Sequence, residues 1–121
     1  MKAKLLVVDD EESLRALYQT FFEGRGYKVK TADSGEQALE IYKTYRPDIL
    51  LLDVRMPGMG GFELARRIKA LNTGQKIVYI TGYTLDPPIR EQLEQEPHPY
   101  ISRPVGLQPM LEIVEKELRR T

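Results

Sequence analysis

The chain has 121 residues, with eighteen basic side chains against eighteen acidic ones, so its formal net charge is zero. Hydrophobic residues make up 41% and charged residues 30%, which fits one globular domain with one core and gives no electrostatic case for general nucleic-acid binding. The absence of cysteine excludes disulfides, thiolate metal sites and cysteine nucleophiles, and a single histidine, His98, cannot build a histidine-rich zinc site alone.

"KLLVV" (4–8) is a short apolar run closed by Asp9 and Asp10, and it reads as a buried strand. It is too short for a signal peptide or a membrane span, so a cytoplasmic protein is expected. Leu14, Leu17, Tyr18, Phe21 and Phe22 recur at three and four, which predicts a helix with one apolar face ending near Gly24 and Gly26. "YKVKTA" (27–32) alternates like a half-exposed edge strand. Ser34 with Gln37 forms a capping-box pattern, and the helix it opens presents Ala38, Leu39, Tyr42 and Tyr45 before Pro47 ends it. "DILLL" (48–52) is the third strand. Phe62, Ala65, Ile68 and Leu71 mark the third helix, and "KIVYI" (76–80) is the fourth strand. "DPPIREQLEQEPHP" offers only Ile89 and Leu93 as apolar anchors, which predicts a short helix. "YIS" (100–102) is a brief fifth strand, and Leu107, Met110, Leu111, Val114 and Leu118 give a final helix.

Five alternations of strand and helix imply an open α/β sheet with parallel pairing and helices on both faces. Sites in such sheets form outside the carboxyl ends of the strands. Asp9 and Asp10 follow the first strand, Asp53 the third, Thr81 the fourth and Arg103 the fifth. Three carboxylates in one cleft repel one another and call for a cation; hard oxygen donors suit Mg2+. Thr81 and Arg103 could hold oxygens of a transferred phosphoryl group, with Asp53 as its acceptor. Each residue also has a plainer reading: Asp10 as a helix cap, Asp53 as a turn residue before "MPGMGG", Thr81 as a strand end, Arg103 as a surface charge and Tyr100 as core.

"LLVVDDEESLR", "PDILLLDVRMPGMGGFEL", "IVYITGY" and "YISRPV" together resemble the receiver domain of two-component response regulators, over residues 3–119. The resemblance implies a single receiver domain over residues 1–121 with a flavodoxin-like sheet of strand order 2-1-3-4-5. It implies that Asp53 accepts a phosphoryl group from a histidine kinase or phosphotransfer protein and that the chain is a phosphoacceptor rather than an enzyme. Asp10 and Asp53 side chains and the Arg55 backbone carbonyl would hold Mg2+, with Asp9 acting partly through water. Thr81 would bond the phosphoryl group, and Tyr100 would turn inward behind it, remodelling the surface of the fourth helix, fifth strand and fifth helix for a downstream protein or a fused output domain. Arg55 and Tyr83 would flank the approach to Asp53, with Gly82 leaving it open between them. No membrane and no nucleic acid is expected as a partner of this chain.

The sequence departs from the family pattern at "SRP", where Arg103 stands in place of the usual Lys; the matching Lys-Pro bond in relatives is commonly cis, and the same is expected of Arg103–Pro104. Gly60 stands where many relatives carry Asp. The arginine opens an alternative reading, a degenerate receiver that acts as a constitutive interaction module. A haloacid-dehalogenase-type phosphatase fits less well, because the residue two beyond the nucleophile is Arg55 rather than Asp.

Overall fold

The computed structural model of the chain describes residues 3–82, 87–103 and 106–120. The elements run β1 (Lys4–Val8), α1 (Glu12–Gly24), β2 (Lys28–Ala32), α2 (Gly35–Tyr45), β3 (Ile49–Asp53), α3 (Gly61–Leu71), β4 (Lys76–Thr81), α4 (Pro87–Gln95), β5 (Tyr100–Ser102) and α5 (Leu107–Arg119). All strand pairs are parallel, in the order β2-β1-β3-β4-β5. This is the expected α/β, flavodoxin-like, doubly wound sheet. No described helix is long and apolar enough to cross a membrane.

The sheet separates two apolar layers. Leu6, Val8, Leu50, Leu52, Ile77 and Tyr79 pack under α2, α3 and α4, while Leu5, Val7, Ile49, Leu51, Val78 and Ile80 pack under α1 and α5. Successive side chains of a strand point to opposite faces, so a strand covered on both sides must be apolar throughout. That is why β1, β3 and β4 read as unbroken apolar runs. β2 lies at one edge, and its exposed Lys28 and Lys30 produce the alternation.

The third and fourth strands end one residue later than expected. Asp48 lies outside β3, where its Oδ2 accepts a hydrogen bond from the Lys4 N–H at 2.7 Å. Asp53 and Thr81 are instead the last ladder residues of β3 and β4. Two of the apolar helix positions are not core: Leu17 and Leu71 are 45% and 62% exposed, because Leu17 falls off the stripe formed by Tyr18 and Phe22 and Leu71 is the final residue of α3. Ser34 Oγ caps α2 by accepting from the Gln37 N–H at 3.1 Å, but Gln37 Oε1 reaches back to the Asp33 N–H rather than to that of Ser34.

The chain leaving β3 is fixed at several points. The Val54 N–H donates to the Ile80 carbonyl at 2.9 Å, and the Gly61 N–H donates back to the Val54 carbonyl at 3.1 Å. Val54, Met56 and Met59 are buried in the layer beneath α2 and α3. Gly58 takes a φ of 74°, a conformation that costs glycine little. At Gly61 a Cβ would stand 2.4 Å from the Asp53 carbonyl oxygen, so α3 can start this close to the end of β3 only without a side chain there. Alanine in place of a helical glycine is ordinarily favourable by at most about 1 kcal/mol. Against a backbone oxygen the sign reverses: Gly61→Ala is expected to lower stability by roughly 1–3 kcal/mol in urea unfolding. A neutral or stabilising result would show that the start of α3 is not tightly seated on β3.

Candidate functional site

At the carboxyl ends of β1, β3, β4 and β5 the structure gathers Asp9, Asp10, Asp53, Thr81 and Arg103. Asp9 and Asp53 are buried, at 0% and 3% exposure, and Asp10 is exposed. One carboxylate oxygen from each of the three lies within 4.8 Å of the others. The donors are all hard oxygens, a set that fits a small divalent cation such as Mg2+.

Backbone amides orient the two buried carboxylates. Asp9 Oδ1 accepts from the Glu11 N–H at 2.9 Å, and Asp53 Oδ1 from the Arg55 N–H at 3.1 Å. Arg15 Nη1 donates to the Asp9 carbonyl at 2.8 Å, tying α1 to the end of β1. Asp10 does not cap α1. The N-cap residue is Glu11, without a side-chain cap bond, and Asp10 is left at the rim of the cleft.

Arg103 is no surface charge. Its Nη1 donates to Asp9 Oδ2 at 3.2 Å, and its Nη2 lies 3.7 Å from Asp53 Oδ1. Its side chain is only 14% exposed. The Arg103 N–H also bonds the Thr81 carbonyl at 2.9 Å, extending the β4–β5 ladder beyond Ser102. Thr81 is buried at the end of β4, next to Gly82. Tyr100 is 37% exposed, outside the core and away from an inward position behind Thr81. Arg55 is exposed at the mouth of the cleft. Tyr83 and Pro104 lie outside the described residues, and with them the expectations for an aromatic cover and a cis bond.

One residue at the site was assigned by sequence to the core face of α1 alone. Tyr18 is buried, and burial raises the pKa of its hydroxyl while the charge of Arg103 opposes that rise. The available signal was chemical: a buried tyrosine hydroxyl needs a partner, and helical periodicity records only the ring.

Burial is the largest cause of the raised pKa of Asp53, followed by the charge of Asp9; Asp10 adds to it, and the Arg55 amide and Arg103 offset it only in part. The carboxyl is pushed up to about 7. Burial also raises Asp9 above the ordinary carboxylate value. For Arg103 burial acts against the charge, but Tyr18, Asp9 and Asp53 outweigh it and the guanidinium is held above its usual value.

The response regulator receiver domain matches residues 5–115. The chain belongs to this family. Among curated relatives, the receiver is similar to sporulation initiation phosphotransferase F of Bacillus subtilis, at 33% identity over 118 residues that cover 98% of this chain and 95% of that protein. It is 33% identical to the DNA-binding response regulator MtrA of Mycobacterium tuberculosis over 99% of this chain but 52% of that one. It is 28% identical to the regulatory protein AtoC of Escherichia coli over 96% of this chain but only 25% of that protein. Solved receivers superpose closely: chemotaxis protein CheY4 of Vibrio cholerae at a TM-score of 0.83 and 27% identity, over 96% of this chain and 98% of that one, and a CheY-like receiver of Methanospirillum hungatei at 0.87 and 26%, over 98% and 94%. The receiver thus belongs to two-component phosphorelay signalling, its acidic cluster is of the kind that binds Mg2+ in this family, and a histidine kinase or phosphotransfer protein is implied as its partner.

The raised pKa has a measurable consequence for this receiver. The folded state holds a proton on Asp53 that the unfolded chain releases near 3.8, so between that pH and about 7 the folded state binds more protons. Stability therefore falls as pH rises through that window, by roughly 4 kcal/mol from this group. Without added divalent cation, Asp53→Asn is expected to be more stable than the wild type at pH 8 by about 2–4 kcal/mol in urea unfolding and no more stable at pH 4. Equal stability at pH 8 would mean that Asp53 ionises without strain.

Proposed function

We propose that the chain is a phosphorylation-dependent switch whose acceptor is Asp53. The observation that carries this reading is the juxtaposition at Asp53. A carboxylate on the last residue of a central strand shares its cleft with Asp9, Asp10 and the Arg103 guanidinium. Its oxygen is held by rigid backbone, which favours in-line attack on a phosphorus atom. The Asp53 oxygen forms the new bond to phosphorus, the phosphorus–nitrogen bond of a phosphohistidine breaks, and the departing imidazole nitrogen keeps the electron pair. The chain assists transfer and later hydrolysis but is a phosphoacceptor, not a turnover enzyme.

Asp10, Asp53 and the Arg55 carbonyl would hold Mg2+, with Asp9 contributing through water. That indirect role suits an Asp9 already committed to the Glu11 amide and Arg103. When bound, the ion supplies charge neutralisation of the phosphoryl oxygens. Thr81 donates its hydroxyl to one of those oxygens, and the Arg103 guanidinium balances their charge. Tyr100, now exposed, turns inward behind Thr81, and the surface of α4, β5 and α5 changes. The readers are a downstream protein or a fused output domain; the relative from Bacillus, named as a phosphotransferase, and the longer regulators are compatible with one each. The proposed setting is cytoplasmic, with no direct nucleic-acid or membrane contact by this domain of residues 1–121.

The contacts of Arg103 with Asp9 and Asp53 favour one second reading. The guanidinium already neutralises the acidic pair, as it would in a degenerate receiver that binds its partner unphosphorylated. Incubation with acetyl phosphate and Mg2+ separates the two. The wild type is expected to gain the mass of one phosphoryl group, and Asp53→Asn to gain none. Mg2+ binding without any mass gain would favour the degenerate module.

The lifetime of the phosphoprotein tests the mouth of the cleft. By the family pattern, Arg55 and Tyr83 would flank the path of a hydrolytic water, with Gly82 leaving the phosphodonor room. Cutting both side chains back to Ala is expected to speed the decay of the phosphoprotein several-fold. Unchanged decay would remove Arg55 and Tyr83 from the site.

A further inference from the structure

Between α3 and the segment joining α4 to β5 lies a hollow of about 440 Å3 that shares no residue with the acidic cleft. Phe62 of α3 and Tyr79 of β4 line it, edge to face with 5.2 Å between ring centroids. His98 extends this aromatic wall, its ring 6.1 Å from that of Tyr79. The imidazole is 7% exposed, and its Nδ1 has no hydrogen-bond partner among the described residues. A buried polar atom in this state is costly, and a ligand that meets it removes the cost. Charge is unmatched in the same place. Arg66 and Lys69 line the hollow from α3, and neither has a carboxylate partner among the described residues, whereas Arg67 between them is paired with Glu63 at 2.8 Å. Glu96 also lines the hollow, but its Oε1 already accepts from the Tyr79 hydroxyl at 2.8 Å.

We propose that this hollow binds a small aromatic carboxylate, whose ring packs against Phe62 and Tyr79 and whose carboxylate faces Arg66 and Lys69 and accepts a hydrogen bond from the His98 imidazole. Each part of the ligand answers a feature of the site. A wholly apolar molecule would leave two cations and the imidazole unmet, a cation would face like charge, and a bare inorganic anion would leave the aromatic wall wet. Burial, followed by the charge of Lys69, holds the imidazole pKa below its ordinary value, so at neutral pH the ring is uncharged, with one nitrogen to donate and one to accept. The site is separate from Asp53, and the proposal stands or falls independently of the phosphoacceptor reading. A simpler view is that the hollow is a water-filled gap in the packing and His98 a core ring.

The chain has a single histidine, so the His98 ring signals in an NMR spectrum report on the hollow without overlap. Titrating indole-3-acetate into the full chain at neutral pH is expected to shift those signals saturably, with half-saturation at about 1 mM, the scale a ligand of this size reaches. Indole-3-acetamide keeps the ring and loses the charge; acetate keeps the charge and loses the ring. Each is expected to bind at least about 5-fold more weakly. The double variant Arg66→Glu, Lys69→Glu is expected to bind indole-3-acetate at least about 10-fold more weakly, with its backbone amide spectrum elsewhere unchanged. The three-ligand comparison on the wild type tests the proposal whatever the variant does to folding. No saturable shift, equal affinity for the acetamide or for acetate, or full affinity in the folded double variant overturns the proposal.

Discussion

Asp9 and Asp53 end neighbouring strands, are both buried, and face each other across the same cleft; the rest of the structure is arranged around keeping them there. Two carboxylates so placed lose hydration and repel each other, and Asp53 shows the result in a pKa near 7. Nothing local in a short apolar strand opposes their separation. The opposition comes from the scaffold. β1 and β3 pair directly, from Leu5 with Ile49 to Val8 with Leu52, and their side chains are sealed on both faces. The loop beyond Asp53 is pinned by Val54, Met56 and Met59, and α3 starts against the Asp53 carbonyl because Gly61 has no side chain. A core packed to this density resists the small outward shifts that would relax the repulsion.

The cation that offsets this repulsion comes from the far edge of the sheet. β5 has three residues, and a strand so short holds its position weakly through its own ladder. Its attachment is completed beyond its end by the Arg103 N–H on the Thr81 carbonyl and by the guanidinium on Asp9. The same residue therefore anchors an edge strand and neutralises the centre. The lone histidine has no share in this. His98 is buried against the edge of the Tyr79 ring, with Nδ1 unpartnered among the described residues, and burial holds its pKa below the ordinary value.

The fold was legible because the strands differ in kind. Runs such as "ILLL" carry no alternation, which only a strand covered on both faces can do, whereas "KVKTA" alternates and lies at the edge. The polar residues at the strand ends were legible for the same reason: each interrupts an apolar run at the point where the sheet stops. Side-chain direction was not. Asp9 and Asp10 are adjacent and look alike in sequence, yet one is sealed and the other exposed, since successive residues at a strand end turn to opposite sides. Leu17 and Tyr18 show the same limit on a helix. Both belong to one periodic set, but a step of one residue turns the side chain about 100°, enough to leave Leu17 outside and take Tyr18 to the site. Arg103 could be placed near the cleft by its position after β5; which carboxylate it would meet depended on the reach of a long side chain.

Charge counting ties these features together. Three ionised carboxylates and one guanidinium leave the cleft at minus two, which a divalent ion cancels. With no such ion, a proton on Asp53 near neutral pH relieves part of the excess, so the cleft has two ways of approaching balance, an ion and a proton. Under the proposed reading, a phosphoryl group on Asp53 replaces a single negative charge with nearly two and restores about half of the excess that the ion had removed. The one fixed positive charge inside the protein able to answer it is Arg103 among the described residues. Since that guanidinium is also bound to Asp9, and the Arg103 N–H to the Thr81 carbonyl, its response draws on β1, β4 and β5 together rather than on the acceptor strand alone.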